Sequence, residues 1–452
     1  MSEIKRKIRL SPSLQILLGF IVLILVGTFL LSLPIANKSG EWLNIVDAFF
    51  TSTSMVCVTG LTVVKISTTF TLFGQIVILF LIQIGALGIV SLTSLFFMLI
   101  KKKINFSSRL AIKESLNKDN IQGVVAFIKK VILITLIIEA VGALALLYSS
   151  ITYTGSFWKG LFSAIFMSIS AFCNVGIDIY GNEMGEFLGL YPFASNVLVQ
   201  LPLMLLIILG SIGFIVLIDG FKNIRNNQHT KVVLIATAIL IFGGAILYMI
   251  AEWNNPLTIG NMSTGEKILN SFFQSVSCRS AGCATISQAS LTNMGYVLTI
   301  ILMFIGGSPS SLAGGIKTTT LFVLLIFLFK KHNSNGAIVY RDRKFSSNII
   351  YKAIKVLLYS IITIIVSVIL LLLIEGNNFS IESIVFEVVS AITTTGFSMG
   401  ITELLSVPSK IIISIVMFIG RVGMATILLA ISSKTDASLE QVEYINTDII
   451  VG

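Results

Sequence analysis

Four short segments ending in glycine recur along the chain: Val58-Thr59-Gly60, Asn174-Val175-Gly176, Ser280-Ala281-Gly282 and Thr394-Thr395-Gly396. Successive glycines lie 106 to 116 residues apart. The residues before each glycine are small or neutral, and none of the four triplets holds a carboxylate. Charge neutralisation by an acidic ring is therefore not the chemistry on offer. Backbone carbonyls can replace the hydration shell of a cation, and Thr59, Asn174, Ser280, Thr394 and Thr395 could add side-chain oxygens. Glycine allows the positive φ that successive inward carbonyls demand. Such carbonyl rings suit monovalent ions, whereas divalent sites recruit carboxylates. One triplet alone is an ordinary turn or packing signal. Four in register indicate a repeated architecture around an axis, as a cation pathway requires.

The surrounding elements must hold these segments at depth in a bilayer. The chain is 55% hydrophobic and 12% charged, against about 25% charged in an average soluble domain. Apolar stretches near 14–33, 70–100, 127–149, 193–218, 231–250, 293–330, 349–374 and 408–431 read as membrane helices. The first is too long for the h-region of a signal peptide, and no small-residue cleavage site precedes Pro34, so it reads as a retained span. Before each glycine triplet lies an amphipathic stretch too short to span: Trp42–Val56, Phe157–Phe172, Gly265–Ser277 and Ile381–Ile392. Irregular backbone at membrane depth is tolerated only inside protein or along a watery cavity. Each unit thus reads as helix, re-entrant half-helix and loop, then helix. A second glycine signal, at Gly85, Gly210, Gly306 and Gly420, follows 25, 34, 24 and 24 residues after the first.

Two full spans per unit give every unit the same orientation. The expected fold is an all-α integral membrane protein of four parallel helix–pore loop–helix repeats around a pseudo-four-fold central pore, with eight full transmembrane helices and four half-helices. The units are assigned to residues 1–126, 127–230, 231–345 and 346–433, with an intramembrane loop at 306–317 in the third and a tail at 434–452. Parallel repetition favours a central pore over the inverted repeats of many carriers.

A formal net charge of +10 could suggest nucleic acid, but its distribution does not. Of the 31 Lys and Arg, 23 fall in segments that this topology places on one face: before the first span, at 101–130, 222–231 and 330–355, and at Lys434. That face is cytoplasmic by the positive-inside rule, so both termini are expected in the cytoplasm of a multi-pass cell-membrane protein. The opposite face carries Glu41, Asp47, Asp178, Glu183, Glu186, Glu252, Glu266, Glu375, Glu382 and Glu403. These acids are either ordinary solvated residues or a vestibule that concentrates cations. The four cysteines, Cys57, Cys173, Cys278 and Cys283, sit beside the repeat glycines and read as small packing residues.

The units are unequal. Gly306-Gly307-Ser308-Pro309-Ser310-Ser311-Leu312-Ala313-Gly314-Gly315-Ile316-Lys317 cannot sit cheaply inside a regular helix. It reads as a loop between two half-helices, lying in the ion path, or as a kink packed on a neighbour. Arg421 is costly in a membrane helix and must face the pore or a partner. It could bind that loop and oppose a cation, or simply anchor the helix to carbonyls. Lys317 could snorkel to the cytoplasmic face. Arg279 reads as a brace for its loop through carbonyls.

These motifs resemble the Trk/Ktr/HKT superfamily of potassium transporters over nearly the whole chain. The carrying segments are Val56–Leu61, Ala171–Gly176, Arg279–Gly282, Thr394–Phe397, Ala313–Lys317 and Gly420-Arg421. With eight expected spans the chain is most similar to the Ktr-type membrane subunit. The resemblance implies potassium as the transported ion, sodium as an activator, a membrane homodimer with one pore per protomer, and a cytosolic ring of nucleotide-binding regulatory subunits. It also implies a filter at the four triplets and a gate involving Gly306, Gly307, Gly314, Gly315, Lys317 and Arg421. Ser280 and Cys283 depart from the family's usual threonine and aromatic residue. Weak potassium/sodium discrimination is therefore the alternative function, and a non-conducting scaffold or receptor is the alternative of another class. The sequence shows no metal cluster, nucleophile–base pair or phosphate-binding fingerprint, so no enzyme is expected.

Overall fold

The computed structural model describes residues 12–88, 124–180, 189–219, 227–329, 339–340, 343–344 and 346–423. The basic N-terminus, the loop at 101–118, Glu183, Glu186, Lys222, Lys330 and the tail at 434–452 lie outside the described residues.

In chain order the principal helices are α1 (Pro12–Ser32), α2 (Ile45–Val56), α3 (Leu72–Leu87), α4 (Val124–Thr154), α5 (Phe157–Phe172), α6 (Val197–Ile212), α7 (Gln228–Glu252), α8 (Thr264–Ser277), α9 (Asn293–Phe304), α10 (Thr318–Phe329), α11 (Ser347–Glu375), α12 (Ile381–Ile392) and α13 (Val407–Val422). A two-residue antiparallel pairing of Val339–Tyr340 with Arg343–Lys344 is a small departure from an all-helical chain.

Among the described residues, four helices are long and apolar enough to cross a membrane: Leu14–Ser32 in α1, Val125–Thr154 in α4, α7 and α11. Their outer faces expose Leu25, Phe29, Leu144, Phe242 and Leu373, as lipid-facing helices do. The short helices α2, α5, α8 and α12 sit inside. Their buried faces carry Thr51, Ser52, Ser168, Ser170, Ser275, Ser277 and Ser390, each fully or almost fully buried. Hydroxyls there bond back to neighbouring backbone: Ser52 to Ile24 O, Ser168 to Glu139 O and Ser275 to Ile241 O. Gly27, Gly142 and Gly244 make these crossings possible, since a Cβ there would fall 2.3, 2.5 and 2.4 Å from the three serine oxygens.

The second helix of each unit is interrupted among the described residues, as expected in the third unit and not announced by hydropathy in the others; residues 89–100 and 424–431 of the expected spans lie outside the described residues. α3, α6 and α13 each stop after 16 residues, about 24 Å of helix. The breaks fall at Gly88, Gly213 and Gly423, with φ of 82, 101 and 83°. A positive φ of this kind is open to glycine at little cost and cannot continue a right-handed helix. In the third unit α9 and α10 have 12 residues each, with Ile305–Lys317 between them. Three residues before each break, Gly85, Gly210 and Gly420 touch the carboxyl end of the adjacent short helix. A Cβ there would lie 2.0 Å from Val56 O, 2.0 Å from Phe172 O and 2.1 Å from Ile392 O. The second glycine signal is thus a close-packing device.

Candidate ion pathway

Each short helix ends in a sharp reversal. The residue two before the glycine takes a left-handed backbone: Val58 (φ 57°), Asn174 (59°), Ser280 (71°) and Thr394 (49°). The glycines follow at 91, 77, 68 and 90°. A β-branched residue at positive φ is strained and persists only where its surroundings enforce it. Serine brackets supply that enforcement. Gly60 N donates to Ser54 Oγ and Gly396 N to Ser390 Oγ, both at 3.1 Å. Ser170 Oγ donates to Ile177 O at 2.7 Å and Ser277 Oγ to Cys283 O at 2.6 Å.

The four strips meet edge to edge in a closed cycle. A Cβ on Gly60 would lie 1.9 Å from Val175 O, on Gly176 1.9 Å from Ala281 O, on Gly282 2.2 Å from Thr395 O, and on Gly396 2.3 Å from Thr59 O. The first strip touches the second, the second the third, the third the fourth, and the fourth the first. The negative ends of four helix dipoles therefore converge on one ring of backbone.

On one side of the ring lies a cavity of about 360 Å³ lined by all four glycines together with Asp178 and Glu403. On the other lies a cavity of about 510 Å³ lined by Thr393, Gly314, Lys317 and Arg421. Of the acids expected on the outer face, Asp178 and Glu403 line the 360 Å³ cavity. Glu252 and Glu375 are structural instead. Glu252 is buried and accepts from Thr292 N (2.9 Å) and Thr292 Oγ1 (2.7 Å) at the start of α9. Glu375 accepts from Ser406 N (3.0 Å) and Oγ (2.7 Å) at the start of α13. Asp47 pairs with Lys410 at 2.8 Å.

The side-chain oxygens near the ring divide into two groups. Ser280 Oγ donates to Thr393 O at 2.7 Å and accepts from Gly314 N at 2.9 Å, so it ties the third strip to the fourth and to the glycine-rich loop. Thr395 Oγ1 pairs with Thr393 Oγ1 at 2.8 Å. The side-chain polar atoms of Thr59, Asn174 and Thr394 are buried without a hydrogen-bond partner.

The glycine-rich loop sits directly under the fourth strip. A Cβ on Gly314 would lie 2.1 Å from Thr394 Oγ1 and 2.7 Å from Thr393 O. The loop is sewn to the broken end of α6: Ser308 N donates to Ser211 O (2.9 Å), Leu312 N to Gly210 O (3.1 Å), and Phe214 N to Ser310 O (2.9 Å). These bonds satisfy carbonyls that a helix end leaves free. A Cβ on Gly306 would lie 1.9 Å from Gly314 O, and Gly307 N bonds that same oxygen at 3.3 Å. The Cα of Gly306 is 2.9 Å from the Cβ position of Gly315, so the two ends of the loop are pressed together.

Arg421 closes the arrangement. Its Nη1 donates to Leu312 O at 2.6 Å, and its Nη2 to Gly85 O (2.6 Å) and Ala86 O (2.7 Å) at the end of α3. One guanidinium thus holds both the loop and a second broken helix, and meets the negative end of α3. Lys317 lines the 510 Å³ cavity, and its Nζ turns back to donate to Ala313 O at 2.6 Å. Arg279, 1% exposed, reaches Gly306 O at 3.4 Å. All four cysteines are buried and free. The left-handed residues and the serine brackets were missed in the sequence. The serines had a readable signal, recurring six residues before Gly60, Gly176 and Gly396 and five before Gly282.

The chain is 36% identical to the potassium/sodium uptake protein NtpJ of Enterococcus hirae, with all of both chains covered. It is 36% identical to the Ktr system potassium uptake protein B of Bacillus subtilis, over 98% of each. The crystal structure of the potassium transporter TrkH from Vibrio parahaemolyticus superposes with a TM-score of 0.72 at 18% identity, covering 94% of this chain and 86% of that one, a likeness of fold. The family described as cation transport protein, TrkH, matches residues 10–441. By these matches and its helical membrane architecture, the chain belongs to the TrkH cation transport protein family, a family of transporters rather than enzymes.

Proposed function

We propose that this chain is the ion-translocating membrane subunit of a potassium uptake system. The observation that carries the reading is the closed cycle of four glycine strips between two cavities. Potassium, the substrate, sheds water in the outer cavity and is held by backbone carbonyls of strips 58–60, 174–176, 280–282 and 394–396. Thr59, Asn174 and Thr394 offer uncommitted side-chain oxygens beside them. The loop containing Gly306, Gly307, Gly314, Gly315 and Lys317 obstructs the inner side, and Arg421 fastens it there. The repeats divide at 126, 230 and 345. The subunit works as a homodimer in the cell membrane with its termini in the cytoplasm, under a cytosolic ring of nucleotide-binding subunits, and sodium acts as an activator. Relatives named as potassium uptake proteins of Ktr systems support this assignment.

Weak discrimination between potassium and sodium is the second reading. Ser280 supports it, because its hydroxyl is spent on Thr393 O and Gly314 N rather than left free in the ring. The relative named as a potassium/sodium uptake protein points the same way. Isotope uptake in a potassium-uptake-deficient cell and flux in liposomes test both. Saturable potassium uptake resisted only weakly by sodium is expected. Equal competition by sodium selects the second reading, and absence of any cation flux removes both.

A further inference from the structure

Behind the ring, units three and four carry a hydrogen-bonded pair at matching positions. In the third unit Gln274 of α8 and Gln288 exchange amide bonds, Nε2 to Oε1 at 2.7 Å and 3.2 Å in the two directions. In the fourth unit Glu387 of α12 accepts from Ser398 Oγ at 2.9 Å and from Thr402 Oγ1. Gln288 and Thr402 each lie six residues after their strip's glycine, and each opens a short 3-10 turn. Gln274 and Glu387 each lie three residues before the bracketing serine, Ser277 or Ser390. All four of these residues are at most 3% exposed. The first unit has Thr51 and Ile66 at the same places, and Thr51 Oγ1 has no partner. The second unit has Met167 on its half-helix.

We propose that these two polar latches are specificity-determining positioning devices for ion selection. Each ties the limb of chain leaving the glycine back to the half-helix that delivers the strip. A bracket holds one end of the strip and the latch holds the other. Discrimination between two monovalent cations rests on carbonyl positions kept to about 0.5 Å. The third and fourth strips need this restraint most, because the glycine-rich loop contacts them directly: Gly314 N donates to Ser280 Oγ at 2.9 Å, and Gly314 packs so close to Thr394 Oγ1 that no Cβ would fit between them. In the fourth unit Ser398 Oγ extends the restraint by accepting from Gly400 N at 3.0 Å. Glu387 and Gln274 do not line the 360 Å³ cavity, whereas their partners Gln288, Ser398 and Thr402 do, so the half-helix residues act through the loop.

The inference rests on the proposed cation pathway, and two readouts separate them. Flux of the unaltered protein in liposomes tests the pathway. A thermal-shift titration of purified protein with potassium chloride and sodium chloride tests the latch, through the ratio of concentrations that stabilise half-maximally. Glu387→Leu, Gln274→Leu and Thr402→Val should each shrink the potassium-over-sodium ratio about 3- to 10-fold, in keeping with loss of one buried polar tie. Glu387→Gln should keep the unaltered ratio, because both hydroxyls can turn to satisfy an amide. If Glu387→Leu does not assemble, Gln274→Leu decides the matter, because Gln274 does not line the cavity, whereas Thr402 does. An unchanged ratio in Thr402→Val and Gln274→Leu overturns the latch. So does a Glu387→Gln protein whose ratio falls as far as that of the leucine variant.

Discussion

At the scale of single residues, the ring glycines are irreplaceable for two independent reasons. Gly60 has φ of 91° and Gly282 of 68°, where side chains are strained. The atom a Cβ would strike is in both cases a backbone oxygen of the next strip, at 1.9 and 2.2 Å, which no rotamer change can move aside. Gly60→Ser and Gly282→Ser should therefore lower rubidium uptake about tenfold or more at matched membrane abundance, an effect of backbone overlap rather than of lost contacts. Normal uptake by both variants would end the ring hypothesis. The glycines were legible in the sequence because their type and spacing repeat. The left-handed turns at Val58, Asn174 and Thr394 were not. Nothing in valine or threonine announces a positive φ, and only the tertiary bracket from Ser54 or Ser390 forces it.

At the scale of elements, the broken second helices are the feature that hydropathy conceals. The dense run at 306–317 showed its break in advance, but single glycines such as Gly88 and Gly423 gave no such warning, because one glycine in a helix costs only about 1 kcal/mol. The breaks matter because they free carbonyls for the loop and for Arg421. Hydrogen bonds to a charged group contribute about 1.5–3 kcal/mol each, and Arg421 makes three. Arg421→Gln should loosen the loop and raise potassium flux in liposomes lacking any regulatory partner about 5-fold or more, the scale of an ordinary coupling energy. Lower flux from protein of unaltered thermal stability would leave Arg421 as an anchor only. A second element-level test concerns Glu252, the buried acceptor for Thr292, Asn255 and Thr258. Glu252→Leu strands these donors between α7 and α9. It should cost about 2–4 kcal/mol and lower the melting temperature in detergent. An unchanged melting temperature would show that water replaces the carboxylate there.

At the scale of the whole molecule, four units in one chain must close on themselves, and closure is where sequence reading stops. Parity of spans and the basic face give an expected orientation of the units. No local pattern says which face of the last unit meets the first. The structure places α13 against α2, and Lys410 Nζ binds Asp47 Oδ1 at 2.8 Å across 363 residues of sequence, the one ion pair among the described residues. With side chains 13% and 22% exposed, the pair is shielded enough to exceed a solvated surface bridge. Asp47 also lies in the first turn of α2, where a carboxylate favours the helix dipole, so removing Lys410 leaves a charge that is still partly compensated. Lys410→Met should therefore destabilise by about 1–2 kcal/mol, and Lys410→Met with Asp47→Asn should cost less than the two single changes added together. Melting in detergent for the four proteins of this cycle measures the coupling. Strict additivity would mean that the seam between the last unit and the first is held by the contact of Gly396 with Thr59 O and by helix packing alone. The ion pair would then be incidental to closure of the ring.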